Sequence, residues 1–452
     1  MPEIFSQMTE LAEFTLERAQ AAGAQAAAVD VKRSRFVEAA FRDGELEKAS
    51  ASSKQGLSLT LFLDGRYAVH STSDLGQGTL RKFVQEAAAL TRTLAPDPDR
   101  GLADPARLAR PPAPDLKVFD PALAEPAAET WLAKARRLEE LAREAGGNSA
   151  AKLVSSQGAA QAEVSRELLA TSNGFLGQLA ETAAVEGCNL VFLDPAGDAK
   201  RRTGGWWEVE RELAALGGEE RMAAIAAKAA ARAARLMGAK PGPSGRFPLV
   251  VENQAAGRLV SDLLRPLGGP ALKQKKSCLA GKLGQAVAHP LLDIWDEPQL
   301  PGGFGSRWYD AEGVAAKKMA VIQAGVLKNY FLDTYHSKVL KLPPSTGSSS
   351  NLILTSSHKN GFEGLYQNLK KGLAVTSFLG GNFNPTTGDY SYGLSGLWIE
   401  DGRPVHAVDG MNMAGNLSEL WNMLTAVGGD PFPYARARTP SLAFGEVQLA
   451  GA

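Results

Sequence analysis

The fold of this chain is indicated most specifically by residues 387–402, which read TGDYSYGLSGLWIEDG. Gly388 and Gly393 bracket a short polar run, and glycine in that setting is typical of a strand that turns or approaches another strand closely. Residues 397–400, LWIE, predict a strand. We interpret Asp389 and Ser391 as turn and hydrogen-bonding residues of a sheet. The alternative is that Gly388, Asp389, Tyr390 and Ser391 contact a ligand at a cavity or interface.

The residues around this segment predict a β-rich C-terminal domain. Further strands are expected at residues 319–322 and 372–379, and helices at residues 363–370 and 417–427. The run PGPSG at residues 241–245 is the best linker candidate in the chain. We therefore predict that residues 241–452 form a domain of curved antiparallel sheet with few helices.

The residues before the linker predict an α+β domain, residues 1–240, in which helices pack on an antiparallel sheet. Asp43-Gly44 and Asp64-Gly65 predict two hairpins of that sheet. Proline and aspartate are dense from residue 96 to residue 126, which predicts a loop across the domain surface. The remaining predicted elements of this domain are an opening helix that ends at Gly23, helices at residues 79–93, 127–145 and 219–237, and strands around residues 173–174 and at residues 185–193. Past the linker, a strand is predicted at residues 247–251.

The composition argues against several functional classes. The 452 residues carry 49 basic and 49 acidic side chains, so the chain lacks the positive charge expected of a nucleic-acid binder. Cys188 and Cys278 form no CxxC pair, which indicates a reducing compartment. The first residues lack a signal-peptide pattern, and the apolar runs are short for a membrane span. We expect a soluble cytoplasmic protein that contacts neither nucleic acid nor membrane.

Other groups of reactive residues are weaker candidates for a site. Cys278 and His289 have no recognised motif around them, and chance proximity explains the pair better than a thiol nucleophile with its base. Lys273, Lys275 and Lys276 form a short basic cluster, which favours a solvated loop over an acidic partner. Trp206-Trp207 favours packing between the two domains, with an interface anchor as the alternative. The five histidines, none at helical spacing from another, are His70, His289, His336, His358 and His406.

Several segments of the C-terminal half resemble the TldD/PmbA family, also called modulators of DNA gyrase. They occur in the family's order, and the likeness covers roughly that whole half. Residues 387–402 carry its most specific part. The other matching segments are YDAEG at residues 309–313, IQAGVLKNY at residues 322–330, STG at residues 345–347, MAGNL at residues 413–417, and the closing residues 440–451.

The resemblance also shows which residues depart from the family's zinc motif. Catalytic members carry His-Glu-x-x-x-His on a helix, in which the histidines bind zinc and the glutamate acts as general base. The matching positions here are Asn253, Gln254, Gly257 and Arg258. An amide is a weak zinc ligand, and a guanidinium would place a permanent positive charge at the metal position.

No shifted motif restores the site. Glu252 precedes the segment, but no histidine lies within the next six positions, and residues 428–439 lack the cysteine that supplies a third ligand in catalytic members. An amphipathic helix with Leu259, Leu263 and Leu264 in the core is the plain structural interpretation of the segment.

This pattern resembles the TldE (PmbA) branch of the family, which implies a metal-free subunit with no catalytic residues and no cofactor of its own. The resemblance implies a heterodimer with a TldD-like zinc subunit, which degrades or processes unfolded or short peptides. A stand-alone peptide-binding or regulatory homodimer is the alternative, and an independent hydrolase ranks last because no nucleophile, base and oxyanion donor can be assembled. The neutral charge argues against a direct action on DNA.

Overall fold

The computed structural model describes residues 2–196 and 200–451. Six antiparallel strands form the N-terminal sheet, in the order β3-β2-β1-β4-β5-β6. Both predicted hairpins are confirmed: Asp43, Gly44, Asp64 and Gly65 all have positive φ, as two-residue hairpin turns require. The strands are β1 (Ala26–Arg42), β2 (Glu45–Leu63), β3 (Arg66–Thr72), β4 (Leu153–Thr171), β5 (Leu176–Leu193) and β6 (Arg201–Glu210).

Four helices cover one face of this sheet as two separate pairs, α1 (Pro2–Ala21) with α2 (Gln77–Thr91), and α3 (Ala128–Gly147) with α4 (Glu219–Ala234). The first pair packs on Val29 and Val31 of β1, and the second pair packs on Val37 and Ala39 of the same strand. These four residues share a face because side chains alternate along a strand. The N-terminal region therefore has two apolar cores on one sheet face.

The opposite face of the N-terminal sheet contacts the C-terminal half. Leu169 of β4 packs in a cluster with Phe175, Trp308 and Tyr309. The predicted loop from residue 96 to residue 126 contributes Leu116 to this cluster, and its regular structure consists of short 3-10 turns at Pro105–Arg107 and Pro121–Leu123. The loop thus fills the space between the two halves of the chain.

The C-terminal half contains two sheets, of order β10-β9-β8-β11-β16 and β14-β13-β12-β7-β17-β15. A further pairing of β14 with β17 closes five strands of the second sheet into a ring. The strands are β7 (Gly245–Val251), β8 (Ile294–Asp296), β9 (Met319–Gln323), β10 (Val326–Leu327), β11 (Leu352–Leu354), β12 (Lys371–Phe383), β13 (Asp389–Glu400), β14 (Arg403–Asn416), β15 (Leu424–Val427), β16 (Ala437–Arg438) and β17 (Leu442–Ala450).

The short helices of this half are α5 (Asn253–Leu264), α6 (Gly269–Lys273), α7 (Thr334–Leu340), α8 (Phe362–Tyr366) and α9 (Leu417–Asn422). Two sequence predictions were wrong in extent. The helix expected over residues 417–427 ends at Asn422, because Leu424–Val427 pairs with β17 instead. The helix expected over residues 363–370 ends at Tyr366, since Lys371 already begins β12.

The predicted α+β fold with antiparallel sheets is confirmed, with one correction to the C-terminal domain. The domain was expected to be antiparallel, but β7 and β12 run parallel, with Leu249 opposite Leu373, and β11 and β16 of the other sheet also run parallel. The predicted domain boundary between residues 240 and 241 stays a prediction. Among the described residues, no helix is both long enough and apolar enough to span a membrane.

Candidate functional site

The segment predicted to replace the zinc motif, residues 253–258, lies where β7 passes into α5. The N–H of Glu252 donates to the carbonyl of Val375 on β12 at 2.9 Å, which ties the start of the helix to the sheet. The buried carboxylate of Glu252 accepts two hydrogen bonds from the guanidinium of Arg232 on α4, at 2.9 and 2.7 Å. A bidentate arginine–carboxylate pair of this kind is strong and geometrically specific. Glu252 therefore has a structural partner and is not available as a general base.

Asn253 and Gln254 are the first two residues of that segment. The side-chain Nδ2 of Asn253 donates to the carbonyl of Asp430 at 2.8 Å, and its Oδ1 accepts the N–H of Gln254 at 2.7 Å. Both ends of the amide are thus used inside the chain. Gln254 lines a cavity of about 200 Å³. Its neutral amide cannot take a proton from a water molecule.

Arg258, the last residue of that segment, is paired with a buried acid one helical turn later. Its Nε donates to Oδ2 of Asp262 at 2.8 Å, and its guanidinium lies 5.1 Å from the ring centroid of Tyr392. The hydrogen bond to Asp262 raises the pKa of Arg258 above its usual value. The positive charge of Arg258 is therefore held in place by the protein.

Asp262 is fully buried and is the centre of this arrangement. It accepts the hydroxyl of Tyr392 at 2.7 Å and lies 2.9 Å from the guanidinium of Arg265. Burial, and then the hydrogen bond to Asp262, raise the pKa of Tyr392. These side chains do not fit a zinc ion. Arg258 and Tyr392 both donate to Oδ2 of Asp262, a guanidinium lies against Oδ1, which makes no hydrogen bond, and the described residues bring no set of imidazoles or thiolates to the carboxylate. Among the described residues, no group of three or more His, Cys, Asp and Glu side chains is arranged to hold a metal.

The loop of residues 428–439 is organised by Asp430. Its carboxylate accepts hydrogen bonds from the N–H of Phe362 at 3.0 Å, and from the N–H and hydroxyl of Ser441 at 3.0 and 2.7 Å. The loop therefore closes against the start of α5 through Asp430 and Asn253. An aspartate and an asparagine thus make the contact between this loop and the helix.

The cavity beside Gln254 lies between the N-terminal sheet and the C-terminal ring. Hydroxyl and amide groups give it hydrogen-bond donors and acceptors suited to a peptide backbone. Gly204 on β6 faces the backbone of α4 so closely that a side chain there would collide with Ala229 and Ala233. The lining residues are Thr203, Gly204, Gly205, Arg232, Arg235, Leu236, Gln254, Thr376 and Ser377.

Gly257 and the segment Gly388–Ser391 have different surroundings. Space is open around the position that a side chain of residue 257 would take, so nothing in the packing requires glycine there. Gly388 has φ +84°, as a turn residue would. Exposed Asp389 accepts Thr387 Oγ1 at 2.6 Å and Asn416 Nδ2 at 3.0 Å, and these bonds lower its pKa. The interpretation of Asp389 as a hydrogen-bonding turn residue agrees with this geometry.

Tyr390, and Tyr392 just after the segment, lie on the opposite strand face from Asp389. Tyr390 is buried and stacks on Tyr392, with ring centroids 5.1 Å apart. Ser391 is exposed. Tyr390 and Tyr392, rather than Asp389 and Ser391, therefore face the neighbourhood of α5.

Trp206 and Trp207 join β6 to the loop of residues 428–439. Both rings pack edge-on against Phe432, at centroid distances of 6.2 and 5.3 Å. Trp207 is 41% exposed and also contacts Tyr434. The pair therefore lies between the two halves of the chain, as the sequence interpretation favoured, and Trp207 still presents a surface. Its role as an interface anchor stays a prediction.

Cys278 and His289 have separate structural surroundings. The N–H of Cys278 donates to the carbonyl of Pro385 beside the Gly388 turn, and burial raises the pKa of the thiol. Nδ1 of His289 accepts the N–H of Leu291 at 3.2 Å. Neither group has the environment of an activated nucleophile or base.

Comparison with known proteins supports the resemblance along most of the chain. Family models of the PmbA/TldA metallopeptidase match residues 27–91 as domain 1, residues 121–237 as the central domain and residues 244–451 as the C-terminal domain. The chain belongs to the PmbA/TldD metallopeptidase family. It is 27% identical over 429 residues to the metalloprotease PmbA of Escherichia coli O157:H7, covering 94% of this chain and 92% of that protein.

Solved structures of the PmbA/TldD family share the fold. A Bacteroides thetaiotaomicron protein that bears the name modulator of DNA gyrase superposes with a TM-score of 0.92 and 34% identity, over 98% of this chain and 99% of that one. TldE from Thermococcus kodakarensis superposes with a TM-score of 0.84 over 97% and 99% of the two chains. Its identity of 21% makes this a likeness of fold.

The sequence alone did not lead us to predict the side chains that pair with Glu252, Arg258 and Asp262. The spacing of Arg258 and Asp262, four residues apart on a helix, was a signal for their ion pair. Arg232 and Tyr392 gave no such signal, because they reach the segment from other elements. Tyr390 and Tyr392 are two residues apart on a strand, which predicts that they share a strand face. It does not predict that Asp262 lies against that face.

Proposed function

We propose that this chain is a metal-free, non-catalytic subunit of a TldD/TldE-type peptidase complex. In this proposal a TldD-like partner holds the zinc and performs the cleavage of unfolded or short peptides. The present chain completes and walls the chamber in which those peptides are cut.

One observation carries the proposal: Arg258 forms an ion pair with buried Asp262 at the position of a zinc ligand. A divalent cation placed there would be repelled by a guanidinium that stays protonated at physiological pH. Displacing Arg258 would leave Asp262 buried with fewer partners, which is costly. The substitution is therefore built into the packing of α5 and does not simply leave a metal site open.

The comparisons support the assignment at two levels. The chain shares its fold with TldE from Thermococcus kodakarensis. It also matches a Haemophilus influenzae metalloprotease TldD homolog, at 24% identity over 255 residues, which is 52% of each chain. Two related branches of one family would supply two similar subunits, of which one keeps the metal.

The geometry also suggests how this subunit takes part in peptide handling. β6 is an edge strand of the N-terminal sheet, and its residues 203–205 line the cavity beside Gln254. An extended peptide can add to a sheet edge through main-chain hydrogen bonds. The subunit would thereby admit extended chains and exclude folded ones, without contributing to bond cleavage.

The direct test is reconstitution with the TldD-like protein from the same source. The two chains are purified separately and mixed, and then complex formation and cleavage of an unstructured peptide are measured. We expect cleavage in the mixture and none by this chain alone. Cleavage by this chain alone would overturn the proposal, and a homodimer that binds the peptide but ignores the partner would favour the stand-alone regulatory module.

A second test restores the motif by the triple substitution Asn253→His, Gln254→Glu and Arg258→His. We expect no zinc-dependent cleavage, because residues 428–439 still lack a cysteine ligand. The wild-type chain purified in parallel is the control, and circular dichroism shows whether the variant folds. Zinc-dependent cleavage by the folded variant would contradict our account of this loop.

A further inference from the structure

The two apolar cores of the N-terminal sheet are separated by a basic strip on the same sheet face. Arg33 and Arg35 follow Val31 and precede Val37 on β1, so they lie between the residues on which the two helix pairs pack. Arg166 of β4 is the direct cross-strand partner of Arg33. Like charges placed directly opposite each other destabilise a sheet. The strip therefore calls for a compensating group.

Arg166 has the least compensated charge of the three. Its residue is 8% exposed, and the described residues offer its Nε no hydrogen-bond acceptor. Nε of Arg33 is likewise buried without an acceptor, although its Nη1 donates to Gln7 on α1 at 3.0 Å. A buried guanidinium without a counter-charge is unfavourable, since its desolvation is not repaid. A water molecule would satisfy a hydrogen bond here but not the charge.

The strip forms the floor of a groove of about 490 Å³ between the two helix pairs. Glu125 also lines the groove, but its carboxylate is paired with Arg35 at 2.7 Å. Ser53 and Gln55 of β2 lie opposite Arg35 and Arg33 in the strand register, where they add neutral donors beside the cations. The groove thus combines two incompletely satisfied guanidinium groups with an open path to solvent.

We propose that this groove binds an oxyanion, a carboxylate or phosphate group, between Arg33 and Arg166. Guanidinium groups present planar pairs of N–H donors that match both kinds of oxyanion. The bound anion would neutralise the cross-strand pair and join the two helix pairs. This site is separate from the segment that replaces the zinc motif, and the proposal does not depend on the chain being metal-free.

The test is thermal unfolding of the full chain in sodium chloride, sodium phosphate and sodium acetate at one ionic strength and pH 7. We expect phosphate, acetate or both to raise the midpoint of the wild-type protein by roughly 2 to 4 °C above its value in chloride. A rise with phosphate alone assigns a phosphate-bearing ligand, and a rise with acetate extends the assignment to carboxylates.

Groove variants distinguish this binding from a general salt effect. Arg166→Met and Arg33→Gln should each abolish the rise, while Arg81→Gln, which changes an exposed arginine on α2, should retain it. If Arg166→Met does not fold, Arg33→Gln decides the question, because Arg33 is only half-buried. The proposal is overturned if neither anion shifts the wild-type midpoint, or if the shift persists in Arg33→Gln.

Discussion

Arg258 and Arg166 are two basic residues that the structure treats in opposite ways. Arg258 is partly exposed, yet its guanidinium meets the buried carboxylate of Asp262 at 2.8 Å. Arg166 is nearly buried, yet its Nε meets no acceptor and another arginine lies opposite it. Arg258 has an acid beside it, so its charge serves the structure of the protein. Arg166 has none, so its charge is available to a ligand.

The strongest test of the Arg258–Asp262 pair is the substitution Asp262→Asn. It removes the charge that pairs with Arg258 and Arg265 and weakens the acceptor of Tyr392, so we expect a loss of roughly 3–5 kcal/mol in the free energy of unfolding. Urea denaturation measures this loss. Glu86→Gln is the control, since Glu86 forms an exposed helix pair with Lys82 and should change stability by less than about 0.5 kcal/mol. Similar losses for the two variants would contradict the central role of Asp262.

Asp30 of β1 extends the comparison to a third region, the opposite face of the N-terminal sheet, where the unfavourable charge is that of an acid. Burial, and then the nearby charge of Glu167, raise the pKa of Asp30 from 3.8 to about 6. An acid whose pKa is higher in the folded than in the unfolded state binds more protons when folded. Its contribution to stability is therefore present at low pH and is lost as the pH rises from about 4 to about 6. The substitution Asp30→Asn should therefore stabilise the protein at pH 7, by about 3 kcal/mol at most.

The measurement for Asp30 is urea denaturation of the wild type and the variant at pH 4, 5, 6 and 7. Taking the difference in the free energy of unfolding between the two proteins at each pH removes the contribution of the other carboxylates. We expect the difference to be small at pH 4 and to grow up to pH 7. A difference that is constant across this range would show that Asp30 titrates as an ordinary exposed acid.

The smallest expected effect is that of Tyr392→Phe. It removes one hydrogen bond to the buried Asp262 carboxylate, which should cost about 1.5–3 kcal/mol. Tyr390→Phe is the matched control, since its ring stacks on Tyr392 without sharing the bond to Asp262. Equal losses of unfolding free energy in the two variants would assign the effect to ring packing instead.

The fold could be predicted from sequence where neighbouring residues determine it. Asp43-Gly44 and Asp64-Gly65 specify hairpins on their own, and the passage from β7 to α5 follows from an apolar run and helical spacing. The helix expected at residues 417–427 failed because Leu424–Val427 pairs with a strand that comes later in the chain. The ring closed by β14 and β17 depends on the same kind of distant pairing.

The candidate site shows the same division. The residues at positions 253–258 could be interpreted from their chemistry, because a motif is local. The hydrogen bond between Asp262 and Tyr392 joins residues 130 positions apart, and no spacing rule predicts it. The pairing of Arg33 with Arg166 likewise depends on strand register, which is set by the hydrophobic pattern of the whole sheet.

Measuring bound zinc tests most directly whether this chain is a metal-free subunit. This chain and the TldD-like protein are each incubated with zinc, passed over a desalting column and analysed by mass spectrometry for zinc bound per chain. We expect stoichiometric zinc in the TldD-like protein and no zinc retained by this chain. Stoichiometric zinc in this chain, lost on Asn253→Ala, would contradict this expectation.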